Sequence, residues 1–529
     1  MRARLLLAAT VLLSASTAGC LLDFKTNPEV LLPDGEGGGT GSGGNGGTGA
    51  TTNTGGAGGT TTSTSSSTTE PDPGCVPSEE ANPVADKCGI FVSATKGSDA
   101  EGVGEGTKDK PVATLDRALE LAAEMAQPVY MCAETFTGPL EPKGSALIYG
   151  GLDCANDWAY LGPDVKTEIT APADTIPFTV PASVTVEMHD MAIRAADALQ
   201  EGGSSIAFVA DSSSDVRLFR CDITSGVAMK GADGAPHPTG AADGTKGTNG
   251  KEACSADTVV TDASPTNECG EVDSKGGSGG VGTLDAGVSG SSGQPVLMTN
   301  FGLGDESGQC LPGTLGAVGA TGAAGLGAPN QIGTIEKTGF VGVPGADGAP
   351  GQPGQGGGGG GAARGGASAC NGKPGVGGAS GGSGGSGGCG GLGGRGGSPG
   401  GASIAILSLG ASFHFEGVKI TAGVGGAGGN GGPGQFGGLG LGGGSGGTVP
   451  AGVMGLKNGC QGGPGGGGGS GGLGGGGLGG HAIGIAHLGT PPDDMGAEIV
   501  FGTAGKGGSD GMETVAGALG VAAALLKFD

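Results

Sequence analysis

Three segments of this chain carry one pattern. Val186 to Ile193, Val216 to Ile223 and Phe413 to Ile420 each place apolar residues at relative positions 1, 3, 6 and 8. In the first segment these are Val186, Met188, Met191 and Ile193. Two alternating pairs with one extra residue between them describe two strands meeting at a bend. Matching apolar pairs lie upstream, at Ile176 and Phe178, Ile206 and Phe208, and Ile404 and Ile406. A fourth, degraded unit runs from Ile483 and Ile485 to Ile499 and Phe501. A unit of roughly twenty residues falls at the lower end of the known structural repeats, and it is the length of one three-faced turn of a parallel β-helix. One such turn cannot bury its own apolar face, so the units are expected to stack. Cys221 stands where Met191 and Val418 stand, which makes it an inward-facing small hydrophobe.

Glycine supplies 132 of the 529 residues and aromatic residues only 3%. Ordinary chains carry about 7% glycine, so a single close-packed globular core is excluded along most of the length. The glycine is concentrated between the repeats. Residues 227–400 separate the second and third units, and 424–480 the third and fourth. Both stretches follow small-residue exits, Ser225-Gly226 and Ala422-Gly423, and read as insertions leaving one corner of a solenoid. The first insertion has two places for further divergent units, Val296 to Asn300 and Ile332 to Val341. Runs with glycine at every third residue, Gly342 to Gly354 and Gly313 to Gly325, are too short and unpartnered for a collagen triple helix. They leave two states open, packed polyglycine-II-type helices and disorder. In composition they resemble glycine-rich proteins called PGRS-like, a likeness that carries no activity.

The N-terminal region has its own grammar. Arg2 and Arg4, an apolar run from Leu5 to Leu13 and small residues up to Gly19 make a signal peptide over residues 1–19. Thr17-Ala18-Gly19-Cys20 resembles the bacterial lipobox, with Thr17 where Leu is usual, and implies acylation of Cys20. Leu21 after the Cys implies the outer membrane, facing the cell surface or the periplasm. Residues 20–74 are the anchor and a Gly/Ser/Thr tether without apolar periodicity. Strand Gly89 to Ser93, Gly97-Ser98-Asp99, Gly106-Thr107 and Pro111 follow. A Thr114-capped helix comes next, with Leu115, Ala118, Leu119, Ala122 and Ala123 at helical spacing, then Pro128, short strands and Gly150-Gly151. This order resembles the start of secreted right-handed parallel β-helix proteins of the pectate-lyase-like superfamily. The resemblance implies an all-β, right-handed parallel β-helix solenoid whose short helix caps the open end of the first coil. The expected organisation is a first β-helix part over 75–226, an insertion over 227–400, a coil over 401–423, an insertion over 424–480, and a last coil with C-terminal cap over 481–529. Within that cap the apolar stretch Val515 to Leu526 is too short to span a membrane.

Twelve cysteines in an exported chain read as disulfides. With Cys20 acylated, nearness in sequence suggests Cys75–Cys88, Cys132–Cys154, Cys254–Cys269 and Cys370–Cys389. Cys310 then pairs with Cys460 across a long loop, and Cys221 stays free.

The net charge of −25 argues against nucleic-acid binding, which needs a basic footprint. Zinc-site spacings are absent, and His481 and His487 lack metal partners at ligand spacing. Gly507 to Gly511 is a single, unrepeated glycine/aspartate run. Asp190, Asp222 and Glu416, near His189, Arg220, Lys419 and His414, are outward candidates for glycan chemistry but match no lyase motif; solvated outer-face roles are the plainer reading. Trp158 and Tyr160 are expected to pack. The expectation is a non-catalytic surface lipoprotein without cofactor or metal, structural or adhesive. It would display glycine-rich loops to matrix polysaccharide or another envelope protein. A glycan-active lyase or hydrolase and an envelope binding module are the rival classes.

Overall fold

Alternating apolar residues set the strands of this protein, and their register builds the core. The computed structural model describes residues 74–79, 83–305, 310–509 and 515–529. The expected signal peptide, Cys20, nearly all of the tether and the Asp510-Gly511 end of the glycine/aspartate run lie outside the described residues. Regular structure is almost entirely β. One parallel sheet runs Ile90–Val92, Val129–Cys132, Ala146–Asp153, Thr185–His189, Asp215–Phe219 and Ser412–Glu416. A second runs Thr135–Thr137, Thr167–Thr170, Met191–Arg194, Asp222–Thr224, Val418–Ala422 and Ala497–Phe501. A third runs Phe178–Val180, Ser205–Ala210, Ser403–Ser408, Ala482–Leu488 and Ala522–Phe528.

The aligned residues of the repeat are the paired residues of these sheets. Val186, Val216 and Phe413 are partners in the first sheet, as are Met188, Leu218 and Phe415. Ile169, Ile193, Ile223, Ile420 and Ile499 form one row of the second. Phe178, Phe208, Ile406, Ile485 and Leu525 form one row of the third. These rows meet in a single apolar cluster. The extra residue of the repeat is the bend between the first two sheets. Asp190, Arg220 and Gly417 hold it with φ of 55°, 53° and 63°, the left-handed region that glycine enters at no steric cost. The arrangement is compatible with a β-helix-like solenoid.

Among the described residues the one α-helix, Leu115–Met125, begins where Thr114 accepts a hydrogen bond from the Arg117 N–H and ends at left-handed Ala126. It lays Leu115, Ala118, Leu119 and Ala122 on the first strands of the first sheet, against Ile90, Val92 and Val129.

Two expectations are corrected. Ile332 to Val341 forms no parallel unit: Thr334–Glu336 and Gly339–Val341 are an antiparallel hairpin. Its Ile335 and Phe340 cover the outside of the third sheet. Val296 to Asn300 holds no strand. In the C-terminal stretch expected as a cap, Ala522–Phe528 adds a parallel strand to the edge of Ala482–Leu488, with Leu525 in register on Ile485. The fourth unit has no strand in the first sheet among the described residues, where Pro491-Pro492 lacks the N–H groups a ladder needs.

Both glycine-rich stretches leave a strand of the second sheet and return to one of the third. Among the described residues they contain little regular helix or strand, yet many of their backbone N–H groups donate to carbonyls of neighbouring segments. Consecutive N–H groups reach different neighbours: Gly381 donates to Gly280, Gly382 to Cys460 and Ser383 to Thr248. The pattern recurs every third residue, with Gly384 to Gly277, Gly385 to Gly463 and Ser386 to Thr245. Glycine content follows the number of neighbours. Segment 313–325 has one glycine per triplet, and Gly313, Gly316, Gly319, Gly322 and Gly325 donate to one segment, at Gln461, Pro464, Gly467, Ser470 and Leu473. Segment 380–398 has two per triplet and neighbours on several sides. A Cβ on Gly391 would run into the Gln435 carbonyl oxygen, whereas Leu392 beside it points out and is 57% exposed.

Cys75–Cys88, Cys132–Cys154 and Cys310–Cys460 are bonded, and Cys221 is buried and free. Burial pushes the Cys221 thiol up to about 12. The remaining pairs correct the nearest-neighbour scheme: Cys254 bonds Cys370 and Cys269 bonds Cys389, with Cα–Cα distances of 5.4 and 5.2 Å. Segments far apart in sequence lie side by side in the glycine-rich region, so spacing along the chain is a poor guide there.

His481 ties three segments together. Its Nε2–H donates to the Ile332 carbonyl at 2.8 Å, and its Nδ1 accepts the Val521 N–H at 2.8 Å. Burial lowers its pKa from 6.5, and burial also lowers that of His487.

Two outcomes are expected. Gly391→Ala overpacks a closed site and should cost about 1–3 kcal/mol in urea unfolding, while Leu392→Ala stays within about 0.5 kcal/mol. Both histidines are held neutral, so their contribution is complete above about pH 6.5 and is lost as pH falls through the lower folded values. The urea midpoint should drop from pH 7.5 towards 5, and His481→Asn should flatten much of that drop while being less stable at pH 7.5.

Candidate functional site

The candidate residues of the repeat fall on successive strands where the first and second sheets meet. Asp190 and Arg220 occupy neighbouring bends. Glu416 pairs with Phe219, and Phe219 with His189. Asp222 pairs with Lys419. Parallel register thus brings together residues that the 227–400 stretch separates in sequence.

Asp190 is not an outward carboxylate. It is 2% exposed and accepts from Arg220 Nε at 3.0 Å and Nη2 at 2.8 Å. This is a two-pronged, charge-assisted pair. Lys166 Nζ lies 3.7 Å from Asp190 Oδ1. Asp190 holds the Arg220 guanidinium above its already high ordinary range. The left-handed bend explains the inward turn: it directs both side chains along the stack rather than away from it.

Neighbouring charges on the strip are paired as well. His189 Nε2–H donates to Glu187 Oε1 at 2.9 Å. Arg217 lies 3.8 Å from Glu187 and 3.0 Å from Asp215. Glu416 and His414 are exposed, and Asp222 is half-buried. Ion pairs and rings line this strip.

The rings form a feature that residue-by-residue reading missed. Phe91, Tyr130, Tyr149, His189 and Phe219 occupy one row of the first sheet. Their successive centroid distances are 5.2, 5.3, 4.7 and 4.5 Å. His414 follows at 5.6 Å from Phe219. The signal was present in the repeat, whose fourth position reads His189 and Phe219. Trp158 packs edge-on against Phe91 at 4.8 Å and, with the Cys75–Cys88 segment, covers the first three rings. Tyr130 donates its hydroxyl hydrogen to the Cys75 carbonyl at 2.7 Å. Burial raises the Tyr130 and Tyr149 hydroxyls above their ordinary value. Tyr160 is half-buried beside this cluster.

Among the described residues, no group of three His, Cys, Asp or Glu converges on one point. Gly508 of the glycine/aspartate run donates to the Gly477 carbonyl. No described helix is long and apolar enough to cross a membrane. The chain matches no protein-family model, no curated protein and no solved structure.

Removing the Asp190 charge should be felt in stability. Asp190→Asn is expected to cost about 3 kcal/mol, the low end for breaking a buried ion pair, since Arg220 reaches solvent. Glu416→Gln should change the urea midpoint by less than about 0.5 kcal/mol equivalent.

Proposed function

We propose that this protein is a non-catalytic, lipid-anchored surface protein of a bacterial envelope, with a structural or adhesive role. In this reading the three parallel sheets are a right-handed β-helix, as the N-terminal resemblance implies. The glycine-rich stretches are polyglycine-II-like excursions displayed from one of its corners. The observation that carries the reading is the use of the backbone in residues 227–400 and 424–480. Many of their described N–H groups donate to neighbouring segments, which supports a packed, side-chain-poor body suited to presenting a surface. Among the three candidate carboxylates, Asp190 is held in a buried ion pair with Arg220, which favours the same reading over glycan chemistry. Cys20 is the proposed attachment point, residues 20–74 the tether, and the outer membrane the proposed location. The partner is an envelope protein or matrix polysaccharide.

The test is fractionation. The wild-type chain should partition with membranes, and the mass of its N-terminal peptide should show an acylated Cys20. Cys20→Ala should release the chain into the soluble fraction. A wild-type chain that is soluble and unacylated would exclude the anchor. Turnover of a polysaccharide panel, abolished by changing Asp222 or Glu416, would exclude the non-catalytic reading.

A further inference from the structure

The outer face of the third sheet is apolar. Ile206, Val209, Ile404, Leu407 and Ile483 form a cluster separate from the main core. The hairpin at Thr334–Val341 lies over it, with Ile335 buried in the same cluster. The two strands of the hairpin pair only with each other, so the hairpin can lift without breaking a bond of the parallel ladders. Away from such a face a two-stranded hairpin is marginally stable at best. One polar fastening is Lys337, whose Nζ lies 2.9 Å from Glu141 Oε1 and 3.8 Å from Asp211 Oδ2. A second is His481, which is fully buried.

The partners of His481 fix its protonation. A carbonyl only accepts and an amide N–H only donates. The Ile332 carbonyl therefore faces an N–H at Nε2, and the Val521 N–H faces a bare Nδ1, each at 2.8 Å. A proton added at Nδ1 would oppose the Val521 N–H and place a charge where water does not reach. Phe340 of the hairpin and Phe528 of the last strand close over the ring, with centroids at 4.9 and 6.0 Å. The titratable groups on the elements packed against it are Glu336 and Lys337 on the hairpin, Lys527 and Asp529 on and after the last strand, and His487 on its own strand; all but His487 are exposed. None of them sets the state of His481. Burial disfavours its charged form, against a smaller opposite pull from the Ile332 carbonyl. To take a proton the ring must reach water, so one of its two covers must move. Ala522–Phe528 is held by its ladder to Ala482–Leu488; the hairpin is in no such ladder. We infer that His481 is an acid-sensitive latch, and that its protonation lifts the Thr334–Val341 hairpin and uncovers the apolar outer face of the third sheet while the parallel sheets stay intact.

Hydrogen exchange read by mass spectrometry on the full chain, corrected for the pH dependence of intrinsic exchange, tests the latch. In the lifted state the ring regains its ordinary value of 6.5, so opening gains up to about tenfold for each pH unit below it. Protection of residues 334–341 should fall about tenfold between pH 7.5 and 5.5, while residues 522–528 and 146–153 keep theirs. His481→Asn cannot take up the proton and should abolish the pH dependence; His487→Asn should leave it in place. Should His481→Asn not fold, the wild-type profile decides, with loss of protection setting in below about pH 6.5 and no steeper than one proton allows. Hairpin protection indifferent to pH overturns the inference. So does a pH response that survives His481→Asn, that follows His487, or that strips residues 522–528 together with the hairpin. An onset near pH 4, where carboxylates ordinarily titrate, overturns it as well and transfers control to the Lys337 ion pairs.

Discussion

A peptide N–H withdrawn from water must find an acceptor, and this chain meets that demand in two ways. In the sheets, each strand donates along one plane to the strand before or after it. In the glycine-rich body, absence of Cβ lets neighbouring backbones approach from several directions. Successive residues then donate to different segments, as Gly381, Gly382 and Ser383 do. The first solution needs apolar side chains to fill the space the sheets enclose. The second removes side chains and fills the space with backbone. The composition that excludes an ordinary core is therefore the composition the second solution requires.

The two regions differ in how they tolerate charge. In the sheets, the buried Asp190 is matched by Arg220 and Lys166. In the glycine-rich body, acids sit at the rim and accept N–H groups that no neighbouring carbonyl reaches. Asp233 takes Asn430, Asp243 takes Leu439 and Asp347 takes Gly396, each at 2.7 Å. An acidic composition is thus partly structural: a carboxylate is a short acceptor that finishes the edge of a hydrogen-bonded backbone array.

Sequence reading went furthest where period and packing coincide. Val186, Val216 and Phe413 could be aligned because each buries the same face, and parallel pairing preserved that alignment in space. Thr114 and the helix behind it were legible through capping and spacing. The hairpin at Thr334–Val341 was not, since an apolar alternation does not say whether a strand pairs parallel or antiparallel. The partners of Cys254 and Cys269 were hidden for a related reason. Glycine carries no side-chain pattern, so nothing in a run such as 380–398 says which distant segment lies beside it. The ring row was half legible: His189 and Phe219 share a position in the repeat, but Tyr130 and Tyr149 belong to strands outside the aligned units. The inward turn of Asp190 depended on a left-handed bend, which the spacing suggested and the residue type did not.

The three-residue periodicity of the glycine-rich body sets an arithmetic on its length. Removing one or two residues from a segment such as 380–398 turns every later side chain by a third or two thirds of a turn, carrying Leu392 or Arg395 into space that only backbone can occupy. Removing three slides the segment by one step and leaves each residue facing as before. Both excursions begin and end on adjacent sheets, so such a step need not disturb the strands. The glycine-rich stretches can lengthen or shorten in whole triplets while the sheets keep their register, and the size of the glycine-rich body is free to drift in increments that its interior accepts.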